Sequence, residues 1–315
     1  MVRGTHYRRI AIFAGLICSA QDLPPIRVDV RLVNVAFMAR DNSGKLLNDL
    51  TKDDFEVYED NVKQNIALFS QSRDLPLSLG LIMDMSGSQA HFNKKHEHDL
   101  HTFLKSVLTS RDRAFLLCFG NHLRVAADFT ANPGDIGDGL KHFDQKRPPH
   151  MEELGPDEIR TAGTAFYDAM FYGIKERLAG ADHARKAMLV FSDGEDNSSA
   201  HHMLETIEAA QAENIPIFGV RYTEPGRHGR LTGRNKYGMS VMARIGKETG
   251  GADFDAERED LKKTFKEIGE QLRSLYELGY YTTNPTNDQT FHKLVIRPKR
   301  PGVTVRTKTG YYAHE

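Results

Sequence analysis

Two cysteines in 315 residues, Cys18 and Cys118, leave no disulfide framework to hold the fold. If processing removes Cys18, Cys118 is the one thiol left, and its place in the apolar run Ala114–Phe119 predicts a buried core residue. A chain of this length supplies a core that needs no covalent staple, in one large or two medium domains. Charge of one sign is equally lacking. Lys and Arg number 42 against 43 Asp and Glu, so no long-range field attracts nucleic acid or an anionic membrane surface. Long hydrophobic runs are also absent: Ile10–Cys18 is far short of the ~20 residues a membrane-spanning helix needs, and no later segment serves as an anchor. Arg3, Arg8 and Arg9 before that run, and Cys18-Ser19-Ala20 after it, read as an export signal over residues 1–20 cleaved before Gln21. The expected location is secreted or periplasmic. Lipoprotein processing at Cys18 is disfavoured by Ile17, where a small side chain is wanted.

Sequence motifs of catalysis are missing as well. No Gly-x-x-x-x-Gly-Lys loop cradles phosphate, and Ser192-Asp193-Gly194 and Met85-Ser86-Gly87 lack the flanking glycines of a nucleophile elbow. His96-Glu97-His98-Asp99-Leu100-His101 places Leu100 where a zinc-protease helix requires its second histidine. His98 with His101, or Glu97 with His101, shares a helix face that could hold Zn²⁺ or Cu²⁺, but a solvated polar face is the expected reading. The chain therefore reads as a non-enzyme.

What is present is a set of oxygen-bearing side chains at strand ends. The apolar run Leu77–Met83 reads as a buried strand, and Asp84-Met85-Ser86-Gly87-Ser88 follows it. One carboxylate and two hydroxyls alternating over five residues can point at one centre, as a hard cation such as Mg²⁺ requires; the competing reading is a helix cap. Gly163–Ala169, with Thr164 and Asp168, opens a helical pattern, and Val190–Gly194 closes another buried strand at Asp193. Asp84, Ser86, Ser88, Thr164 and Asp193 resemble the metal-ion-dependent adhesion site of the von Willebrand factor type A (VWA) family: Asp-x-Ser-x-Ser after the first strand, a later Thr, and an Asp after a central strand. The resemblance implies that Ser86, Ser88 and Thr164 touch the ion directly, while Asp84 and Asp193 hold it through waters. It also implies Mg²⁺, with Mn²⁺ or Ca²⁺ as alternatives, and a protein partner whose Asp or Glu carboxylate completes the shell. Asp168 is expected as a capping or surface contact rather than a ligand. Glu195, Asp196 and Asn197 form a loop rimming the site, Lys146–Arg160 a second rim loop, and Glu224–Lys236 a mobile basic connector.

The expected fold class is α/β: a doubly wound, mostly parallel sheet inserted in a β-sandwich-like domain made by the two flanks. Residues 21–74 form the first flank. Val33, Val35 and Phe37 alternate, and Asp54–Tyr58 and Asn65–Phe69 flank Glu59-Asp60-Asn61 as a hairpin. Residues 75–275 form the VWA unit, with strands near Leu77–Met83, Arg113–Phe119, Arg124–Phe129, Lys186–Ser192, Ile215–Tyr222 and Gly251–Phe254, one of them antiparallel. Its clearest helix spans Asp260–Leu275, where Leu261, Phe265, Ile268, Leu272 and Leu275 repeat at helical spacing. Residues 276–315 return to strands at Tyr276–Tyr281, His292–Arg297 and Thr304–Tyr312. Neither flank carries enough apolar residues to form a sheet alone, so the two are expected to pair. The layout resembles a bacterial group of secreted VWA-related proteins in its Asp-Phe-x-Val-x-Glu-Asp element, Asp54–Asp60, and its Gly-Tyr-Tyr element, Gly310–Tyr312. The expected role is an adhesion or scaffold module. The alternatives are an envelope protein whose metal only stabilises it and, last, a metal-dependent hydrolase with Glu195 or Asp196 as base.

Overall fold

A computed structural model of the chain describes residues 31–71, 75–143, 152–154, 163–181, 185–224, 226, 229–284 and 290–313. The expected export signal and most of the expected rim loop Lys146–Arg160 lie outside these residues. In chain order the first flank gives β1 (Leu32–Arg40), β2 (Phe55–Glu59), β3 (Val62–Gln64) and β4 (Ile66–Gln71). The middle gives β5 (Leu77–Asp84), α1 (Asn93–Val107), β6 (Arg113–Phe119), β7 (Leu123–Thr130), α2 (Pro133–His142), β8 (Glu152–Glu153) and α3 (Phe166–Tyr172), whose last turn widens over Gly173–Leu178. It continues with β9 (Arg185–Ser192), α4 (Met203–Ala212), β10 (Ile217–Arg221), α5 (Gly233–Thr249), β11 (Ala252–Asp255) and α6 (Leu261–Arg273). The last flank gives β12 (Tyr276–Tyr281), β13 (Phe291–Pro298), β14 (Thr304–Thr307) and β15 (Gly310–Tyr312).

The middle strands form one sheet in the order β11-β10-β9-β5-β6-β7-β8. β11 to β6 run parallel, β7 is antiparallel to β6, and β8 is antiparallel to β7. Every residue of β5 is buried, as expected of a parallel strand covered on both faces. Leu79, Leu81 and Met83 face a core shared with α1, α2 and α6, while Ile82 faces another shared with α3, α4 and α5. The apolar stripe of α6 is buried at Leu261, Phe265, Ile268 and Leu272, and Asp260 caps its start by accepting from the Lys263 N–H at 3.3 Å. Cys118 is buried in the first of these cores, as its position in the sequence predicts. The sheet is thus the doubly wound one expected, with β8 as an edge strand that the sequence did not announce.

The flanks pair across the insert. One four-stranded sheet has the order β14-β1-β12-β4 and the other β15-β13-β2-β3, so each mixes strands from both ends of the chain. Their shared core holds an aromatic group from both flanks: Phe37 packs edge-on to Phe55 with centroids 4.9 Å apart and stacks on Tyr276 at 5.3 Å. The buried Tyr276 hydroxyl accepts from the Leu50 N–H and donates to the Leu47 carbonyl, both at 3.1 Å, so burying it leaves no polar atom unpaired. Two details differ from the sequence reading. The partner of β2 in the hairpin is β3, with Glu59 opposite Val62, whereas β4 crosses to the other sheet beside β12. The run Thr304–Tyr312 is two strands in different sheets, because the chain turns inward at Lys308 and Thr309.

That turn fastens the flanks to the insert. The Lys308 ammonium, buried, donates to the Gln211 carbonyl of α4 at 2.7 Å, and the Thr309 N–H donates to the Glu248 carbonyl of α5 at 3.0 Å. No carboxylate pairs with Lys308 among the described residues, and burial holds its pKa down at about 7. A lysine whose folded pKa lies below its unfolded value near 10.4 makes the fold less stable as pH falls from about 10 to about 7, with the penalty constant below that. Lys308→Met is therefore expected to raise the thermal midpoint relative to the parent most at pH 7 and below, with the difference shrinking towards pH 10. Paired melting curves across that range measure it, and a pH-independent difference would show that the ammonium is not the source.

Candidate metal-binding site

The site is assembled at the carboxyl edge of the parallel sheet, where open α/β sheets place ligands. β5 ends at Asp84, and its backbone runs on by one bond, from the Met85 N–H to the Phe119 carbonyl at 2.7 Å. Asp84 Oδ1 then accepts the Ser86 N–H at 3.0 Å, a local turn that aspartate forms readily. This turn starts a short 3₁₀ segment, Gly87–Phe92, leading into α1. β9 lies beside β5 with Met83 opposite Phe191, which brings Ser192 level with Asp84. The Ser192 hydroxyl donates to Asp84 Oδ2 at 2.6 Å. Asp193 follows, and its Oδ1 accepts the Glu195 N–H at 3.0 Å.

Three of the five expected residues meet through side-chain hydrogen bonds, and Asp84 joins them through the Ser86 N–H. Ser86 Oγ lies 3.1 Å from Ser88 Oγ, and Ser88 Oγ donates to Asp193 Oδ2 at 3.2 Å. Asp84, Ser86 and Asp193 are buried. Thr164, also buried, joins through its backbone: its N–H donates to Asn197 Oδ1 at 2.6 Å, and its carbonyl accepts from the Asn197 N–H at 3.1 Å. The loop before α3 and the loop after β9 are thereby clipped together.

The electrostatics of this edge favour a cation. Burial, with Asp193 adding to it, pushes the Asp84 carboxyl up to about 7. Neither Asp84 nor Asp193 forms an ion pair with a basic side chain among the described residues. Two carboxylates at one buried edge, with hydroxyls between them, make an all-oxygen donor set of the kind that suits a hard divalent ion. The residues present fit the group that the VWA resemblance implies.

The surrounding acids have other work. Asp168 is buried rather than on the surface, and its carboxylate accepts from the Ala200 and His201 N–H groups and His201 Nδ1 at 2.8–3.0 Å. Asp196 caps α3 by accepting the Phe166 N–H at 2.9 Å, and Glu195 pairs with Arg234 at 2.6 Å. Neither stands as an unengaged base, which weakens the hydrolase reading. Glu97, His98 and His101 lie on the exposed face of α1, as expected, but His96 and Asp99 turn into the core. Burial takes the His96 pKa down to about 3, and Asp99 accepts the Tyr222 hydroxyl at 2.7 Å. The stretch Gly233–Lys236, expected in a connector, is the first turn of α5.

Three contributors escaped the sequence reading. Ser192 precedes the expected Asp193, and its link to Asp84 follows only from the strand pairing. Gln89 Nε2 donates to Asp193 Oδ2 at 2.8 Å, yet in sequence it is one more polar residue after the motif. Gly238, inside α5, meets the loop so closely that a β-carbon there would lie 2.2 Å from the Asp193 carbonyl. Its only signal is a glycine in a helix interior, where a close approach is the common reason. Gly194, at φ +80°, lies against the same turn of α5.

No protein-family model matches the chain, and no curated protein matches it. Solved structures similar to it include an aerotolerance-related membrane protein from Bacteroides fragilis, with 13% identity over 62% of this chain and 98% of that one and a TM-score of 0.46. BatB from Bacteroides thetaiotaomicron shows 16% identity over 63% and 100% with a TM-score of 0.43. A von Willebrand factor type A protein from Catenulispora acidiphila shows 12% identity over 91% and 75% with a TM-score of 0.45. The VWA-like fold of this chain stands on its own strand order and on the loops at its carboxyl edge.

The close approach at Gly238 gives a test of how the loop is held. Gly238→Ala is expected to lower stability by about 1–3 kcal/mol through overpacking against the Asp193 backbone. Gly137→Ala in α2, where a β-carbon meets nothing within 4 Å, is expected to raise it by about 0.5–1 kcal/mol. Denaturant unfolding of both checks this, and equal effects would remove the special role of Gly238.

Proposed function

We propose that the chain is a protein-binding module, acting in adhesion or as a scaffold outside the cytoplasm, that captures an Asp or Glu carboxylate of a partner at a Mg²⁺ site. Residues 75–275 are the binding unit and the flanks 21–74 and 276–315 are its mount. Ser86, Ser88 and Thr164 would hold the ion directly, with Asp84 and Asp193 behind waters. The bound ion supplies a centre left electrophilic by the small number of anionic ligands, so an incoming carboxylate can complete its shell. The chain's own residues do the rest. Ser192 and the Ser86 N–H fix the Asp84 carboxylate, Gln89 and Ser88 fix Asp193, and the Asn197 loop fixes Thr164.

The observation that carries this reading is the pair Asp84 and Asp193, linked through the Ser86 N–H and the Ser86 and Ser88 hydroxyls at a buried edge without a basic partner among the described residues. No helix among those residues is long and apolar enough to cross a membrane.

Calorimetric titration of the chain with Mg²⁺ is expected to show binding that Asp84→Asn and Thr164→Ala each weaken by about tenfold or more, equivalent to about 1.4 kcal/mol. Far-ultraviolet circular dichroism should be unchanged in both. Mg²⁺ binding that persists undiminished in both variants would overturn the assignment. Mg²⁺ that raises the melting temperature while partner capture survives EDTA would reassign the ion to stabilising the fold.

A further inference from the structure

A second group of ligand-type side chains lies in the paired flanks. Glu59 ends β2, Asp60 begins the turn to β3, and His292 sits near the start of β13, more than 230 residues along the chain. The turn uses left-handed backbone at both Asp60 (φ 49°) and Asn61 (φ 68°), the pairing a tight hairpin demands. It aims Asp60 across to β13, where Asp60 Oδ1 accepts the Lys293 N–H at 2.8 Å. That anchor presents Asp60 Oδ2 to His292 Nδ1 at 2.8 Å, with Glu59 Oε1 3.9 Å from the same nitrogen. One ligand atom from each of the three lies within 4.8 Å of the others.

Two features make this group receptive to a cation. Glu59 is buried, yet no lysine or arginine pairs with it among the described residues; its oxygens are held by neutral hydroxyls of Thr282 (2.6 Å), Tyr280 (2.7 Å) and Tyr311 (2.9 Å). A carboxylate braced from behind by hydroxyls is the arrangement that orients metal ligands. The other feature is the crowding at His292 Nδ1. This nitrogen carries either one hydrogen or one lone pair, but it faces both Asp60 Oδ2 at 2.8 Å and the Asn284 amide nitrogen at 3.2 Å. A hydrogen there satisfies Asp60 and opposes the amide; a lone pair does the reverse. Turning the amide over, which leaves its shape almost unchanged, brings its oxygen to the nitrogen. The Asn284, Asp60 and Glu59 oxygens then converge on the same ring nitrogen.

We propose that Glu59, Asp60 and His292, with Asn284, form a binding site for a divalent cation of the zinc class, separate from the edge of the parallel sheet. The imidazole selects the metal: zinc and its neighbours take ring nitrogen readily, whereas Mg²⁺ and Ca²⁺ prefer all-oxygen shells. The spacings suit it, since ligands about 2.0–2.2 Å from a shared zinc sit about 3–3.5 Å apart, between the 2.8 and 3.9 Å found here. Asp60 is 42% exposed at its side chain, which gives an ion a way in. The bound cation clasps the hairpin of the first flank to a strand of the last, closing the long excursion through the insert.

The test is a Zn²⁺ titration of the whole chain by calorimetry in buffer already saturated with Mg²⁺, followed by Co²⁺ as a visible-absorption probe. Binding, a rise in melting temperature and a Co²⁺ absorption band are expected in the parent and equally in Asp84→Asn, which touches only the other site. Asp60→Asn, at an exposed and nearly isosteric position, and His292→Gln are each expected to weaken Zn²⁺ by about tenfold or more. Zn²⁺ binding absent from the parent, or unchanged in both of these variants, would overturn the proposal. Because Mg²⁺ is present throughout, neither result depends on the carboxylate-capture reading.

Discussion

Two neighbouring parallel strands deliver carboxylates to one buried edge, and much of the molecule is arranged around holding them there. The β5–β9 pairing sets Asp84 level with Ser192, so one carboxylate is fixed by a hydroxyl from the adjacent strand and the other hangs one residue further on. Burial disfavours the charged form of Asp84, and the neighbouring Asp193 charge adds to it, so Asp84 is pushed towards neutral pH. The local remedy is dipolar: serine hydroxyls, the Gln89 amide and backbone N–H groups surround the pair. These partners satisfy hydrogen bonds without supplying a full positive charge, and that mismatch is the physical reason a cation belongs in the reading.

How much of this was legible depends on whether a feature is local. The strand β5 and its following Asp-x-Ser-x-Ser announce themselves, because the unbroken apolar run and the alternating oxygens are contiguous in the chain and need no distant residue to be recognised. The stripe of α6 was readable for the same reason. Ser192, Gln89 and Gly238 were not, since each matters only through a residue about 45 to 108 positions away. The split of Thr304–Tyr312 was hidden because Lys308, a residue that ordinarily stays in solvent, turns inward to a helix carbonyl. The hairpin was half legible: Asp60 and Asn61 mark the turn, but the short β3 that pairs with β2 is too polar to stand out beside the more apolar β4.

The flanks pose a separate problem, since neither can close a core alone. Tyr276 follows α6 after two residues and enters β12 as the strand between β1 and β4, so the end of the insert is also the centre of a flank sheet. Its ring stacks on Phe37 and its hydroxyl binds the backbone at Leu47 and Leu50. Aromatic pairs of this kind add about 0.5–1.5 kcal/mol beyond the area they bury, and here they also join the two ends of the chain. The insert is thus tied in covalently at Leu77 and Tyr276 and again by the hydrogen bonds at Lys308 and Thr309.

Those ties meet the carboxyl edge through one helix. At its first turns, α5 packs Gly238 against the Asp193 loop; at its other end Glu248 accepts from Thr309, and Gly250 sits against the backbone of Thr307 and Lys308. A helix of 17 residues spans about 25 Å, so one rigid element touches both the loop that carries Asp193 and the joint that carries the flanks. Backbone contact at both ends, with glycine at each, leaves no side chain to absorb a displacement. Any shift of the Asp193 loop normal to α5 must be met by movement of the helix or by distortion of the loop, and the flank joint bears on the same helix.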